Sequence, residues 1–306
     1  MSNSYDVIIL GAGPAGLTAA LYTSRANLSV LLLDRGIYGG QMNNTGAIEN
    51  YPGFSSIQGP DLSKAMYQSA VQFGVEYKYG NVLSIQDKGS EKVVKTDDNE
   101  YSCKAIVIAT GSKYRTLGCL GEDTYTGRGV SYCAVCDGAF FKGKHVLVVG
   151  GGDSAIEEGE YLSKLANKVT VVHRRDQLRA QKILQDRAFK NDKMEFIWNT
   201  EVKEIHGDDT KVTSVVLHNN QTNQDSNYDV DGLFIYIGEQ PVTDFVGDLP
   251  IVDDKGWIIT DDAMQTKVDG IFAAGDVRKK KLRQITTAVG DGGLAGQNVF
   301  NYIQSL

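Results

Sequence analysis

Residues 6–36 read DVIILGAGPAGLTAALYTSRANLSVLLLDRG: an apolar run passes directly into glycines, then into a long alanine- and leucine-rich stretch, then into a second apolar run. The order is strand, glycine turn, helix, strand. Gly11, Gly13 and Gly16 fit G-x-G-x-x-G. The first glycine allows a tight turn, the second lets a pyrophosphate approach the backbone, and the third lets the helix pack close to the strand. Amides and dipole at the helix N-terminus favour phosphate charge there. Asp34 closes the second strand, where a carboxylate can accept hydrogen bonds from ribose hydroxyls. The stretch predicts a Rossmann-like dinucleotide-binding unit opening an α/β fold.

Residues 145–177, HVLVVGGGDSAIEEGEYLSKLANKVTVVHRRDQ, repeat the plan, with Gly150, Gly152 and Ala155 fitting G-x-G-x-x-A. Asp34 lies 18 residues after Gly16, and His173 lies 18 residues after Ala155, so His173 stands in the place of the ribose acid. The chain there runs His173-Arg174-Arg175. A carboxylate repels a 2′-phosphate, whereas paired arginines bind one. The first unit therefore predicts a dinucleotide without that phosphate, and the second predicts NADP. One such fingerprint is weak. Two at matched spacing, each following an apolar strand and opening a helix, disfavour plain glycine-rich turns.

Two further stretches support a flavin in the first unit. AIVIATGSKYR (105–115) is an apolar strand ending in Ala109-Thr110-Gly111. GIFAAGDVRKKKLRQITTAVGDGGLAGQ (270–297) gives a strand, then Gly275-Asp276, then a glycine-spotted helix. An aspartate at that strand end can accept from a ribityl hydroxyl, and the following helix can aim its N-terminus at the isoalloxazine. Arg278 through Lys281 read as a solvated charged loop; Arg283 does not.

The second flavin-type strand comes only near residue 271, with the NADP unit between. The expected fold class is therefore α/β with two Rossmann-like domains of the three-layer ββα type, the NADP domain inserted into a discontinuous FAD domain. The domain limits read as 1–114 and 244–306 for the first and 115–243 for the second. The crossings fall near Lys113–Gly118 and Gly238–Asp244, where Pro241 breaks the pattern, and paired connections of this kind can hinge. Residues 200–230 alternate polar and apolar and predict a β-hairpin or meander, and DDNEY (97–101) predicts another hairpin turn.

Composition narrows the class. The 306 residues suffice for two medium domains. Glycine, at 34 residues, is well above the usual ~7%, and there are only five prolines, which points to tight turns rather than disorder. A net charge of -7 disfavours nucleic acid or an anionic membrane as a bulk partner. No apolar run approaches the ~20 residues a bilayer span requires. YDVIIL leads into glycines and lacks a basic flank, so it reads as a strand and not a signal peptide. A cytoplasmic protein is the default expectation.

That compartment bears on SYCAVCDG (131–138). Of the four cysteines, only Cys133 and Cys136 are closely spaced. A zinc site needs a second pair of ligands, and neither another C-x-x-C nor a clustered histidine pair exists; no metal is expected. A static disulfide is disfavoured in a reducing compartment. A dithiol–disulfide redox centre remains. Asp137 follows at once; it can move protons, since disulfide reduction takes two protons with two electrons, or it can cap a helix or turn. Cys103 and Cys119 read as small hydrophobes.

These motifs resemble low-molecular-weight bacterial thioredoxin reductases of the Gram-positive type. The resemblance is carried by GAGPAG (11–16), GGQM (39–42), ENYPGF (49–54), ATG (109–111), CAVCDG (133–138), GGGDSAIEE (150–158), HRRDQLRA (173–180), FAAGDV (272–277) and RQITTAVGDG (283–292), in order over almost the whole length. It implies a cytoplasmic homodimer that passes electrons from NADPH through FAD and the Cys133–Cys136 disulfide to oxidised thioredoxin. Cys136 is implied to face the flavin, Cys133 to attack thioredoxin, and Asp137 to act as acid and base. For FAD it implies Gly11, Gly13, Pro14, Ala15, Gly16, Asp34, Arg35, Gly40, Gln41, Asn50, Val82, Ala109, Thr110, Gly111, Gly275, Asp276, Arg283, Gln284 and Ile285. For NADPH it implies Gly152, Asp153, Ser154, Glu157, His173, Arg174, Arg175, Arg179, Ile237 and Gly238. It further implies that the inserted domain rotates about its two connections, because nicotinamide and cysteine pair need the same flavin. The alternatives are a flavin-dependent disulfide reductase with another donor or acceptor, which tends to lose the second fingerprint and its arginines, and a non-catalytic flavoprotein redox sensor, which would tolerate loss of Asp137 or a cysteine. The chain keeps all of these features.

Overall fold

The computed structural model describes residues 3–45 and 47–306, Ala47 by its backbone. The chain forms two compact units: residues up to Lys113 together with Gln240–Leu306, and Tyr114–Glu239.

The first unit is organised by a seven-stranded sheet. Strands Glu76–Tyr79, Val30–Asp34, Ser4–Leu10, Glu100–Ile108 and Ile271–Ala273 run parallel. The early part of Glu100–Ile108 also pairs antiparallel with Lys92–Thr96, which pairs antiparallel with Val82–Asp87. Parallel strands covered on both faces need apolar side chains throughout, which explains the unbroken VIIL of residues 7–10. Val7 and Ile9 face the helices Pro14–Arg25 and Ile285–Gln304, packing with Leu17, Ala295 and Val299. Ile8 and Leu10 face the other way, into a layer with Val94, Tyr101 and Ile258. The glycines of the last helix let it lie against the first: a Cβ at Gly292 would sit 2.2 Å from the Ala15 carbonyl oxygen. An alanine there would force the helices apart.

The second unit repeats the scheme. Five parallel strands stand in the order Val130–Ser131, Gly232–Tyr236, His145–Gly150, Lys168–Val172, Met194–Ile197. One face packs Val146, Val148 and Phe234 on Ile156 and Leu162 of the helix Asp153–Ser163. The other packs Leu147, Val149 and Ile235 on Val202, Ile205 and Leu217. Those last residues belong to an antiparallel meander, Thr200–Gly207, Val212–Asn219 and Gln224–Asp229, as the alternation at 200–230 predicts. The turn at 97–101 likewise joins Lys92–Thr96 to Glu100–Ile108. Each unit is thus a sheet with helices on one face and a small antiparallel layer on the other, the three-layer ββα arrangement. The crossing segments Ser112–Tyr114 and Glu239–Pro241 pair as a two-stranded ribbon.

Candidate functional site

In the first unit the glycine turn is dictated by sterics. Gly11 has φ +102°, and a Cβ on it would lie 2.4 Å from the Ala109 oxygen, while one on Gly16 would lie 1.8 Å from the Gly11 oxygen. At Gly13 a Cβ would meet no heavy atom within 4 Å. Two glycines are therefore required by the protein's own packing, and Gly13 leaves its face open to a phosphate. Pro14 begins the helix and Ala15 is buried beneath it. Gly40 lies beside Gly13, and Gly275 comes up against Ala15.

Asp34 Oδ2 accepts from the Ala12 N–H at 2.6 Å and Oδ1 from the Gly36 N–H at 2.8 Å. The carboxylate holds the loop and keeps lone pairs for a ribose hydroxyl. Beside it opens a cavity of about 330 Å³, whose walls include Gly11, Arg35, Val82, Thr110 and Phe245. Phe245 belongs to no motif and was not foreseen from sequence. Thr110 Oγ1 donates to the Val242 carbonyl at 2.7 Å, and Gly111 turns the chain at φ +68°.

Gln41 Nε2 donates to the Ser112 carbonyl at 3.4 Å, and Asn50 Nδ2 to Gln284 Oε1 at 3.0 Å. Gln284 also caps the helix beginning at Ile285, in a reciprocal arrangement with Thr287. Arg283 stacks 3.6 Å over the Trp257 ring and donates to the Asp276 carbonyl at 3.1 Å. The residues expected to hold a flavin nucleotide thus collect around the carboxyl ends of parallel strands, where α/β sheets bind ligands, and the open Gly13 face and adjoining cavity fit FAD.

The basic loop departs from expectation. Arg278 and Lys280 are not solvated: their side chains are 13% and 11% exposed and both pair with Asp291 at 2.9 Å. Arg278 Nε also donates to Thr260 Oγ1 at 2.8 Å, and Lys279 pairs with Asp253 at 3.4 Å. The reason is Asp291 on the last helix, whose Oδ2 also accepts from the Gly275 N–H at 3.0 Å. One carboxylate draws the loop inward and pins it to the flavin-type turn.

In the second unit, a Cβ on Gly150 would lie 2.3 Å from the Tyr236 oxygen, while one on Gly152 would meet nothing within 4 Å. The steric logic of the first fingerprint recurs. Asp153 accepts from the Gln181 N–H at 2.7 Å and from its Nε2 at 2.8 Å. Ser154 and Glu157 are exposed on the helix, and Ile237 and Gly238 follow the strand Gly232–Tyr236. Arg174, Arg175 and Arg179 are exposed and form no ion pair among the described residues. The Arg179 N–H donates to the Gly151 carbonyl at 2.6 Å, so this arginine springs from backbone tied to the glycine loop. Unpaired guanidiniums beside an open glycine turn fit the 2′-phosphate and pyrophosphate of NADPH.

His173 is placed differently from its ribose-acid position in the alignment of the two fingerprints. It is 5% exposed, with its ring packed under Gly151 and its Nε2 buried without a hydrogen-bond partner among the described residues. Burial pushes its pKa down, and the charges of Arg179, Arg175 and Arg174 push it further. A neutral ring therefore supports the loop from beneath.

The redox pair forms a disulfide, with Cα atoms 5.4 Å apart. It spans the short helical turn Ala134–Asp137 that follows the edge strand Val130–Ser131. Cys136 is exposed and Cys133 half-buried. Cys133 Sγ accepts the Cys136 N–H at 3.1 Å. Ala134 N–H donates to the Tyr236 hydroxyl at 3.0 Å, which anchors the turn to the sheet. Asp137 caps nothing with its side chain; its Oδ2 accepts from Ser131 Oγ at 2.6 Å. Burial pushes the Glu158 carboxyl up to about 7, with the charge of Glu157 adding to the effect, and its Oε2 is buried without a hydrogen-bond partner among the described residues. Burial and Glu158 together raise the Tyr236 hydroxyl, so that hydroxyl stays protonated at neutral pH. Sequence pointed to neither Ser131 nor Tyr236: Tyr236 lies 102 residues from its partner Ala134.

Cys103 is buried and Cys119 half-buried, as small hydrophobes would be, and neither is bridged. Among the described residues no cluster of three or more histidine, cysteine or acidic side chains is arranged for a metal ion, and no helix is long and apolar enough to cross a membrane.

The pyridine nucleotide-disulphide oxidoreductase profile matches residues 5–292. A thioredoxin reductase of Listeria monocytogenes is 59% identical over 302 residues, covering 99% of this chain and 95% of the relative. One from Bacillus subtilis is 58% identical over 302 residues, with 99% and 96% covered. The crystal structure of Lactococcus lactis thioredoxin reductase matches with a TM-score of 0.97 at 54% identity, covering 99% of this chain and 100% of the other.

Proposed function

The chain belongs to the pyridine nucleotide-disulphide oxidoreductases and, within them, to the thioredoxin reductases, and from that premise we propose how its residues carry the reaction. The enzyme uses NADPH and FAD to reduce the disulfide of thioredoxin. The observation that carries this reading is the Cys133–Cys136 disulfide, whose turn also contains Asp137, in the unit that bears the unpaired arginines.

The unit containing Gly11, Gly13, Asp34 and Asp276 holds FAD, and Tyr114–Glu239 holds NADPH. Bound FAD supplies the two-electron relay between nicotinamide and disulfide. Arg174, Arg175 and Arg179 bind the 2′-phosphate, while Gly152 and the start of its helix receive the pyrophosphate. Cys136, the more exposed of the pair, is presented to the flavin. When the pair is reduced, the Cys136 N–H that points at Cys133 Sγ stabilises a thiolate there, and a thiolate is the attacking form. Cys133 attacks a sulfur of oxidised thioredoxin to form a mixed disulfide. Cys136 then attacks Cys133, closing the intramolecular bond and releasing reduced thioredoxin. Asp137 gives and takes the accompanying protons.

Anaerobic NADPH added to the FAD-loaded enzyme is expected to bleach the flavin band, and oxidised thioredoxin to restore it. Bleaching by NADH or a reduced ferredoxin, with none by NADPH, would defeat the donor assignment.

The protein acts as a homodimer in the cytoplasm. Supporting the dimer is an apolar groove of about 590 Å³ on the first unit, lined by Leu17, Leu21, Tyr22, Met66 and Leu294. Tyr22 and Leu294 are 46% and 50% exposed there, which is costly for large apolar side chains left uncovered. Sedimentation equilibrium should give twice the chain mass, and Leu294→Glu should reduce it to one.

A further inference from the structure

We propose that Ser131 is a positioning residue for the reaction, holding Asp137 in the orientation from which it exchanges protons with the redox pair. The inference rests on the assignment of Asp137 as the acid and base.

Ser131 is fixed before the turn begins. It ends the edge strand Val130–Ser131, is paired in register with Phe234, and is 5% exposed. A hydroxyl has one proton to donate and two lone pairs. Ser131 Oγ accepts the Cys133 N–H at 3.1 Å. Its proton has two acceptors in reach, Asp137 Oδ2 at 2.6 Å and the Cys133 carbonyl at 3.2 Å. The shorter bond to a carboxylate is the stronger, so the proton points at Asp137. One buried hydroxyl thus joins the backbone of the first cysteine to the carboxylate that follows the second.

The geometry separates this role from that of a turn former. The turn is already closed by its own bonds: Asp137 N–H donates to the Cys133 carbonyl at 3.2 Å, Cys136 N–H to Cys133 Sγ, and Ala134 N–H to Tyr236. None of these reaches the Asp137 carboxylate, which Ser131 does. Around the turn also stand Tyr236 from the neighbouring strand, with Tyr114 packed against its ring, and Glu158 and Tyr161 from the helix behind. Tyr236 accepts from the Ala134 N–H, whereas the hydroxyl that donates to Asp137 Oδ2 is that of Ser131. Without the hydroxyl the carboxylate is free to rotate, and the proton exchange loses its fixed path.

The test is a double-mutant cycle on the FAD-loaded full-length enzyme, with Ser131→Ala, Asp137→Asn and the pair together. Thioredoxin reduction by Ser131→Ala should fall about tenfold or more, the loss expected for a hydrogen bond to a charged group. KM for NADPH should be unchanged. The loss should fall on kcat. The double variant should be no slower than Asp137→Asn alone, because residues acting as a unit are not additive. Ser131→Thr should retain most of the rate and Ser131→Val should not; this isosteric pair decides the matter if the alanine variant does not fold. Losses that multiply in the double variant, or a Ser131→Val enzyme as fast as Ser131→Thr, would overturn the role of Ser131 while leaving Asp137 in place. An Asp137→Asn enzyme at full rate would instead overturn the assignment of Asp137, and the inference with it.

Discussion

Cys133→Ser is expected to stop thioredoxin reduction, with a fall of at least about a thousandfold in kcat, as for loss of other covalent nucleophiles. NADPH should still bleach the flavin band of this variant, and oxidised thioredoxin should fail to restore it. The block is specific because serine keeps the size of the side chain but is a far weaker nucleophile at neutral pH. The remaining thiols cannot substitute. Burial pushes Cys103 up to about 12 and Cys119 up to about 11, so both stay protonated at neutral pH. The Cys136 N–H points at Cys133 Sγ at 3.1 Å, and a donor so placed favours a thiolate there. Rapid recovery of the band in Cys133→Ser would show that Cys136 attacks thioredoxin and that the two cysteines have exchanged roles.

The second large effect concerns the choice of dinucleotide. Arg174→Ala with Arg175→Ala should weaken NADPH by about a hundredfold or more, at roughly 1.5–3 kcal/mol for each hydrogen-bonded charge removed. NADH should change little. Both guanidiniums are exposed and have no carboxylate partner among the described residues, so their removal breaks no internal ion pair and leaves the fold intact. Steady-state KM values for the two dinucleotides, taken at fixed ionic strength because exposed charges are screened by salt, measure the ratio directly. An equal loss for NADPH and NADH would show that the arginines do not read the 2′-phosphate.

Much of the candidate site was legible in the chain, for a local reason. Whether a residue can follow a strand with φ near +100° or approach another backbone closely depends on a few neighbours. Gly11 and Gly16 in one unit, and Gly150 in the other, therefore announce their turns. The alternation at 200–230 is similarly local, because side chains in a strand point to opposite faces in turn. Charge identity is less informative. Four consecutive basic residues at 278–281 look like a solvated loop, yet Asp291 neutralises two of them. Asp291 lies 13 positions after Arg278 in sequence, and the return of the last helix brings them together. The surroundings of His173 are equally non-local in origin: its spacing marks a ligand position, and its ring packs against Gly151.

Motif and spacing along the chain thus determined the two nucleotide-binding units, the insertion of one into the other, the redox character of Cys133 and Cys136, and the expected choice of NADPH. Each follows from residue chemistry within one βαβ segment or one C-x-x-C turn. The folded structure decided what surrounds those groups: Tyr236 against the Ala134 N–H, Glu158 buried behind the turn, and the Ser131 proton directed at Asp137. These depend on which strands lie side by side and which side chains lose water together. Desolvation and the aim of a hydrogen bond are properties of the packed neighbourhood, built from segments up to 102 residues apart, and no short window of sequence contains them.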